Sequence, residues 1–241
     1  MPPPGPVLFV TWAGGGNVDP VLGLGARLAA AGRPAAVLAP PELVDRVAAA
    51  GLTPLARDVP DPWDPAAMAA DVRTAAERVG ATAVVVDYML PGALCGAEAA
   101  GLPTAALVHT LYGALLVDGA PGPMAMAASP EGIAAVRARL GLPPVDGFGG
   151  LLDRCARVLV TCPRALDRPP DPLPANVRYV GPVPEAAGPD AGWAPPAAAG
   201  GRPLVVVSLG TTPMDEAPVL RAVVDSLRAE PVHALVTLPA H

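Results

Sequence analysis

Residues 7–32 read VLFVTWAGGGNVDPVLGLGARLAAAG, and this stretch decides the fold. Residues 7–11 form an uninterrupted apolar run, the signature of a strand buried on both faces. Three consecutive glycines, Gly14–Gly16, follow; glycine loses the most backbone entropy on ordering, so such a run needs a structural reason. Asp19 then Pro20 marks a helix start, with proline at the first helical position, where its missing N–H is no loss. Val21, Leu24 and Leu28 recur at helical spacing, and Gly32 closes the helix. The same grammar repeats at once, with a strand at 35–38, a helix at 41–50 and a strand at 51–55. Such alternation predicts a parallel sheet with helices packed on its faces.

The alternation continues outward. A Pro- and Asp-rich loop (57–65) precedes a helix at 65–79, then a strand at 82–87, a helix at 92–100 and a strand at 104–108. Regularity weakens over 112–129, which is rich in Gly, Pro and Met. A helix at 130–140, a short one at 150–156 and strands at 157–161 and 177–181 complete the pattern. Residues 182–202 hold five prolines and four glycines with almost no apolar pattern besides Trp193, the composition of a linker. Beyond it, PLVVVSLG (203–210) reads as a buried strand, 216–229 as a helix and 232–238 as a strand. One strand, one helix and one strand cannot cover both faces of a sheet. The expected organisation is a domain at 1–181, a linker at 182–202 and, at 203–241, the opening of a second, incomplete domain.

Composition narrows the function classes. The chain has 241 residues, 52% of them hydrophobic, with a net charge of −6; that balance lacks the basic face a nucleic-acid binder needs. Glycine (26) and proline (34) are abundant, but regular apolar runs between them argue against disorder. No secretion signal and no apolar run long enough to span a membrane is visible, so a cytoplasmic location is expected. Cys95, Cys155 and Cys162 read as reduced thiols, without the spacing of a zinc site.

Two places combine an apolar strand, glycines or hydroxyls, and a helix: VLFVTWAGGGNVDP and LVVVSLGTTPMDE. Such turns bring backbone N–H groups close to a ligand, often a phosphate. The first is not a dinucleotide fingerprint, because Asp19 stands where the third glycine belongs. The chain has no lysine, which excludes a P-loop, and no G-x-S-x-G is present. Asp87 ends a strand at the edge where α/β sheets place their sites, and His109 directly follows another.

The string TWAGGGNVDPVLGLGARLAAAG, then VVVDYMLPGALCGAEAAGLPTAAL, then VRYVGPV and PLVVVSLGT, taken in order, resembles the actinobacterial nucleotide-sugar-dependent glycosyltransferases of the GT-B architecture, the macrolide and antibiotic type. The resemblance runs over essentially the whole chain. It implies a Rossmann-like parallel α/β sheet as the N-terminal, acceptor-binding domain, followed by a truncated second Rossmann-like domain that binds the donor. It implies an inverting hexosyltransferase acting on a nucleoside-diphosphate sugar and a small lipophilic acceptor, in natural-product biosynthesis, with no cofactor beyond the nucleotide sugar, no metal and no nucleic acid; a homodimer is an allowed assembly. In the family a His in the first loop serves as general base, oriented by an Asp at a later strand end. Here Asn17 occupies the His position. An amide has no useful basicity but can hydrogen-bond, so the catalytic candidates are Asp87, His109 and Asn17. The resemblance assigns Ser208, Gly210, Thr211 and Thr212 to the donor's phosphates or sugar. It assigns Trp12, Gly15, Gly16, Met89 and Tyr112 to the acceptor, with Trp63, Leu115, Met124 and Met126 suited to the same apolar mouth. The family's main donor segment lies beyond these residues, so the fragment is expected to be inactive alone. The alternative expectation is a transferase-derived protein that binds a ligand or partner without catalysis.

Overall fold

The computed structural model describes residues 5–57, 63–116, 129–184, 201–210 and 215–237. The chain divides into two compact units, one built on a seven-stranded sheet and the other on a two-stranded one.

The first unit carries β1 (Val7–Val10), β2 (Ala35–Ala39), β3 (Thr53–Ala56), β4 (Ala83–Asp87), β5 (Thr104–Val108), β6 (Arg157–Val160) and β7 (Val177–Tyr179). All pair in parallel, in the order β3-β2-β1-β4-β5-β6-β7. The chain starts in the middle, runs to one edge through β2 and β3, then returns to lay β4 against the other side of β1. That reversal makes the C-terminal ends of β1 and β4 a topological switch point, where parallel α/β sheets form their ligand crevices because the connections on the two sides leave in opposite directions.

β1 is buried along its whole length, as its unbroken apolar run requires. Its residues alternate between two cores. Val7 and Phe9 face α1 (Val18–Ala30) and α2 (Val44–Ala49), meeting Val18, Val21, Leu22 and Val47. Leu8 and Val10 face α3 (Pro65–Val79) and α4 (Pro91–Ala99), meeting Met68, Val72, Ala93 and Leu94. α3 has the bounds the sequence predicts: Asp64 accepts the Ala66 N–H at 2.8 Å, Pro65 opens the helix and Gly80 closes it in the left-handed region. A Cβ on Gly92 would lie 2.2 Å from the Pro65 carbonyl oxygen, and one on Gly96 would lie 2.6 Å from the Ala69 Cα. α3 and α4 therefore meet backbone to backbone, and this contact seats the start of α4, immediately after the loop that follows Asp87.

Several boundaries differ from the sequence reading. α1 begins at Val18, ahead of the Asp19–Pro20 signal. A one-turn helix, α5 (Tyr112–Leu115), appears where no element was expected. α6 (Pro130–Arg139) starts as expected, capped by Ser129 accepting the Gly132 N–H at 3.0 Å. The next helix, α7 (Gly147–Asp153), lies three residues before the expected one. Its last turn places Leu151 and Leu152 in the core, and that burial, rather than the glycine content of 147–150, sets its position.

The second unit pairs β8 (Leu204–Val207) with β9 (His233–Val236) in parallel, joined by α8 (Ala217–Leu227). Here the expectation of a buried strand is corrected. Val206 is 58% exposed and Val219, on α8, 56%. Two strands and one helix do not have enough surface to cover each other's apolar faces. Most of the expected linker, 185–200, lies outside the described residues.

One ion-pair cluster ties the α4 layer to α6. Arg137 is fully buried, and its guanidinium binds Glu98 in two places, at 2.6 and 3.2 Å, and the Pro143 carbonyl at 2.7 Å. Arg154 adds a 2.9 Å bond to the same carboxylate. Burial alone would raise the Glu98 pKa, but the bonds from Arg137 and Arg154 outweigh it and hold the carboxyl below its ordinary value. Two predictions follow from this cluster. Arg137→Ala leaves Glu98 with Arg154 alone and strips the Pro143 carbonyl of its side-chain donor, and it lowers the unfolding free energy by about 3 kcal/mol, the lower end for breaking a buried pair, measured from the urea midpoint. Because the folded pKa is depressed, Glu98 contributes stability above its unfolded pKa and loses it as pH falls through the folded value. The stability gap between the native chain and Glu98→Gln is therefore widest at neutral pH and narrows as pH drops below about 4.3.

Candidate functional site

Asp87 ends β4 at the crevice and is only 1% exposed. A carboxylate that deep must have its oxygens satisfied. Oδ1 accepts the Met89 N–H at 3.0 Å, closing the turn after β4, and lies 3.3 Å from His109 Nε2. Oδ2 accepts from Asn17 Nδ2 at 2.8 Å. The three side chains come from three neighbouring places at the sheet's C-terminal edge: the loop after β1, the end of β4 and the first residue past β5. The structure thus brings together all three catalytic candidates of the sequence.

Asn17 is buried. Its Nδ2 also lies 2.8 Å from the Trp12 carbonyl oxygen and 3.1 Å from Thr11 Oγ1. The carbonyl and the carboxylate can only accept, so the amide nitrogen, not its oxygen, faces them. The side chain gives no cap to α1; it bonds Asp87 instead.

The His109 side chain is 12% exposed. A carboxylate can only accept, so Nε2 is the donor in this contact, and in a neutral ring the lone pair then lies on Nδ1. This leaves an imidazole nitrogen able to take a proton while the carboxylate behind it balances the charge gained. The ring rests against Tyr88 at 4.9 Å between centroids, and Phe148 stands 6.2 Å beyond Tyr88. Thr110 Oγ1 donates to the Tyr88 hydroxyl at 3.0 Å. Burial, reinforced by the Asp87 charge, pushes the Tyr88 phenol up to about 12 against the pull of that hydrogen bond. Tyr88 therefore stays neutral and serves as an aromatic wall.

The other candidates are placed differently. Trp12 and Trp63 pack edge to face at 4.9 Å, each half-buried against the main core. Met89 (7% exposed) and Tyr112 (3%) are buried in that core. Gly15, with a φ of +88°, and Gly16 lie in the loop between β1 and α1. Ser208 and Gly210 leave β8 in the second unit, both exposed, with Gly210 at a φ of +99°. Thr211, Thr212, Met124 and Met126 lie outside the described residues. The sequence reading did not single out Thr11 or Tyr88, which flank Trp12 and Asp87 in sequence. Among the described residues no three His, Cys, Asp or Glu side chains gather as a metal site, and no helix is long and apolar enough to cross a membrane.

Asn17→Asp tests the cluster directly. It keeps the shape but sets a second carboxylate at hydrogen-bond distance from Asp87, in a site that water barely reaches. The variant is less stable than the native chain at neutral pH, and the deficit narrows on acidification as one carboxyl takes a proton, read from thermal or urea unfolding at several pH values.

No protein-family model and no curated protein matches the sequence. Solved structures do match. The glycotransferase of kitacinnamycin is 22% identical with a TM-score of 0.73, covering 100% of this chain and 67% of that one. The calicheamicin glycosyltransferase CalG4 is 20% identical with a TM-score of 0.69, covering 97% of this chain and 64% of that one. The spinosyn rhamnosyltransferase SpnG, solved with thymidine diphosphate, is 23% identical with a TM-score of 0.57, covering 95% of this chain and 64% of that one. The chain thus spans about two thirds of the length of these structures. Its fold is that of the GT-B glycosyltransferases.

Proposed function

We propose that this chain carries the acceptor side and the catalytic base of a cytoplasmic, natural-product-type glycosyltransferase. It transfers a hexose, with inversion, from a nucleoside-diphosphate sugar to a hydroxyl of a small lipophilic acceptor. The observation that carries this reading is the His109–Asp87–Asn17 cluster, set at the C-terminal edge of a parallel sheet where its strand order reverses. The fold shared with natural-product glycosyltransferases supports it, as does the thymidine diphosphate held by one of them.

In this reaction His109 Nδ1 takes the acceptor's hydroxyl proton as the oxygen attacks the anomeric carbon. The new carbon–oxygen bond forms as the bond to the diphosphate breaks, and the nucleoside diphosphate leaves with that electron pair. Asp87 holds the imidazole by Nε2 and offsets its positive charge, while Asn17 holds Asp87. Asn17, with no basic atom, does not compete for the proton. Trp12 and Trp63 offer apolar surface to the acceptor, and the loop at Gly15 and Gly16 lets it approach the backbone. The turn after β8, with Ser208, Gly210, Thr211 and Thr212, contacts the donor's phosphates or sugar through hydroxyls and backbone amides. No cofactor other than the nucleotide sugar enters this scheme.

The test is turnover. Incubated with thymidine- and uridine-diphosphate hexoses and a panel of hydroxylated lipophilic acceptors, this chain joined to a complete donor-binding domain releases nucleoside diphosphate and forms a glycoside, whereas residues 1–241 alone do not turn over. His109→Ala lowers kcat by about 10²–10⁴-fold, the usual share of a positioned general base, and Asp87→Asn lowers it in the same direction. Acceptor binding with no diphosphate released from any donor, by the chain joined to a complete donor-binding domain, would leave a non-catalytic binding protein instead.

A further inference from the structure

We propose that Asp167 is a positioning residue for His109, acting through the backbone of residues 110–113. This rests on the reading of His109 as the base. Asp167 follows a 3-10 turn, Arg164–Leu166, on the connection from β6 to β7. Its carboxylate gathers donors from three segments. Oδ2 accepts the Tyr112 N–H at 2.7 Å and the Tyr179 hydroxyl at 2.6 Å. Oδ1 accepts the Gly113 N–H at 3.1 Å and the Arg168 N–H at 2.7 Å. Tyr112 and Gly113 open α5, so Asp167 caps from a distance a one-turn helix too short to hold itself. Tyr179 comes from β7. Burial, and after it the bond to Asp167, raise the Tyr179 phenol's pKa, so that hydroxyl remains a donor.

The packing is as specific as the bonds. A Cβ on Gly113 would lie 2.2 Å from the Arg168 carbonyl oxygen, so the two segments touch backbone to backbone, with only glycine fitting between them. The chain around His109 is thereby pinned on both sides. Before it, the Val108 carbonyl accepts the Thr161 N–H at 2.8 Å. After it come the Thr110–Tyr88 bond and then the Asp167 clamp. The 3.3 Å contact from Nε2 to Asp87 tolerates little drift of the His109 backbone. A carboxylate is the group this place needs. An amide offers one acceptor oxygen, and its NH2 would face donors.

The experiment uses the chain itself and needs no substrate. Amide hydrogen exchange is followed at Tyr112 and Gly113, together with the ring ¹⁵N shifts of His109, in the native chain, Asp167→Asn and Tyr179→Phe. In Asp167→Asn the exchange at Tyr112 and Gly113 speeds up by about tenfold or more, the loss expected when bonds to a charged acceptor are weakened. The His109 ring shifts move toward those of an imidazole freed from Asp87. Tyr179→Phe removes one donor without adding a polar atom, moves both readouts the same way by less, and decides the matter should Asp167→Asn fail to fold. Native exchange at Tyr112 and Gly113 overturns the clamp. Faster exchange with unchanged His109 ring shifts overturns the link to the histidine. Both readouts are independent of turnover, so loss of the catalytic reading of His109 in the kinetic assay is distinguished from loss of this one.

Discussion

A carboxylate sealed from water at the end of a central strand is the constraint around which this protein is arranged. Removing such a charge from solvent costs several kcal/mol unless its oxygens find donors. Asp87 finds them on three separate pieces of chain: the Met89 N–H in its own turn, the Asn17 amide ahead of α1, and the His109 ring after β5. Each donor is held where it is because the carboxylate requires it. The start of α1, the turn into α4 and the exit from β5 are therefore not independent loops. The cluster belongs to the core energetically and to the crevice geometrically.

The crevice itself comes from chain order. Because β1 lies in the middle of the sheet and β4 returns to its other side, the connections leaving β1 and β4 diverge. That reversal leaves the strand ends uncovered by the chain's own crossovers. The aliphatic core makes the arrangement rigid. β1 sends Val7 and Phe9 to one helical layer and Leu8 and Val10 to the other. Gly92 and Gly96 let α4 lie directly on the α3 backbone, so the segment just beyond Asp87 has little freedom to move away from it.

Much of this could be read from local pattern. The strands showed as apolar runs, and α3 emerged with its bounds intact because Asp64, Pro65 and Gly80 supply cap, entry and exit within the segment itself. Asp87 and His109 stood out because they end or follow strands. What local pattern could not carry was decided by partners far off in sequence. The role of Asn17 was hidden because it bonds a residue 70 positions away. α5 escaped notice because its cap, Asp167, lies 55 positions from Tyr112, in a Pro- and Arg-rich stretch with no motif. β8 read as buried from composition, yet burial depends on what packs against a strand, and composition does not reveal that.

Position 17 holds an amide rather than a basic side chain, and the difference matters through charge alone. An imidazole at that position and another at 109 would share one carboxylate, and each proton gained by one would weaken the hold on the other. An amide donates to Asp87 without titrating. It satisfies Oδ2 and leaves the carboxylate's full charge to a single imidazole through Oδ1. In the proposed reaction the proton then has one destination, the ring that leaves β5, and not the loop that leaves β1. The turn carrying that ring consequently has to be held more firmly than a loop of its composition would hold itself. The bonds on either side of it, from Thr161 to Val108 and from Tyr112 and Gly113 to Asp167, meet that requirement.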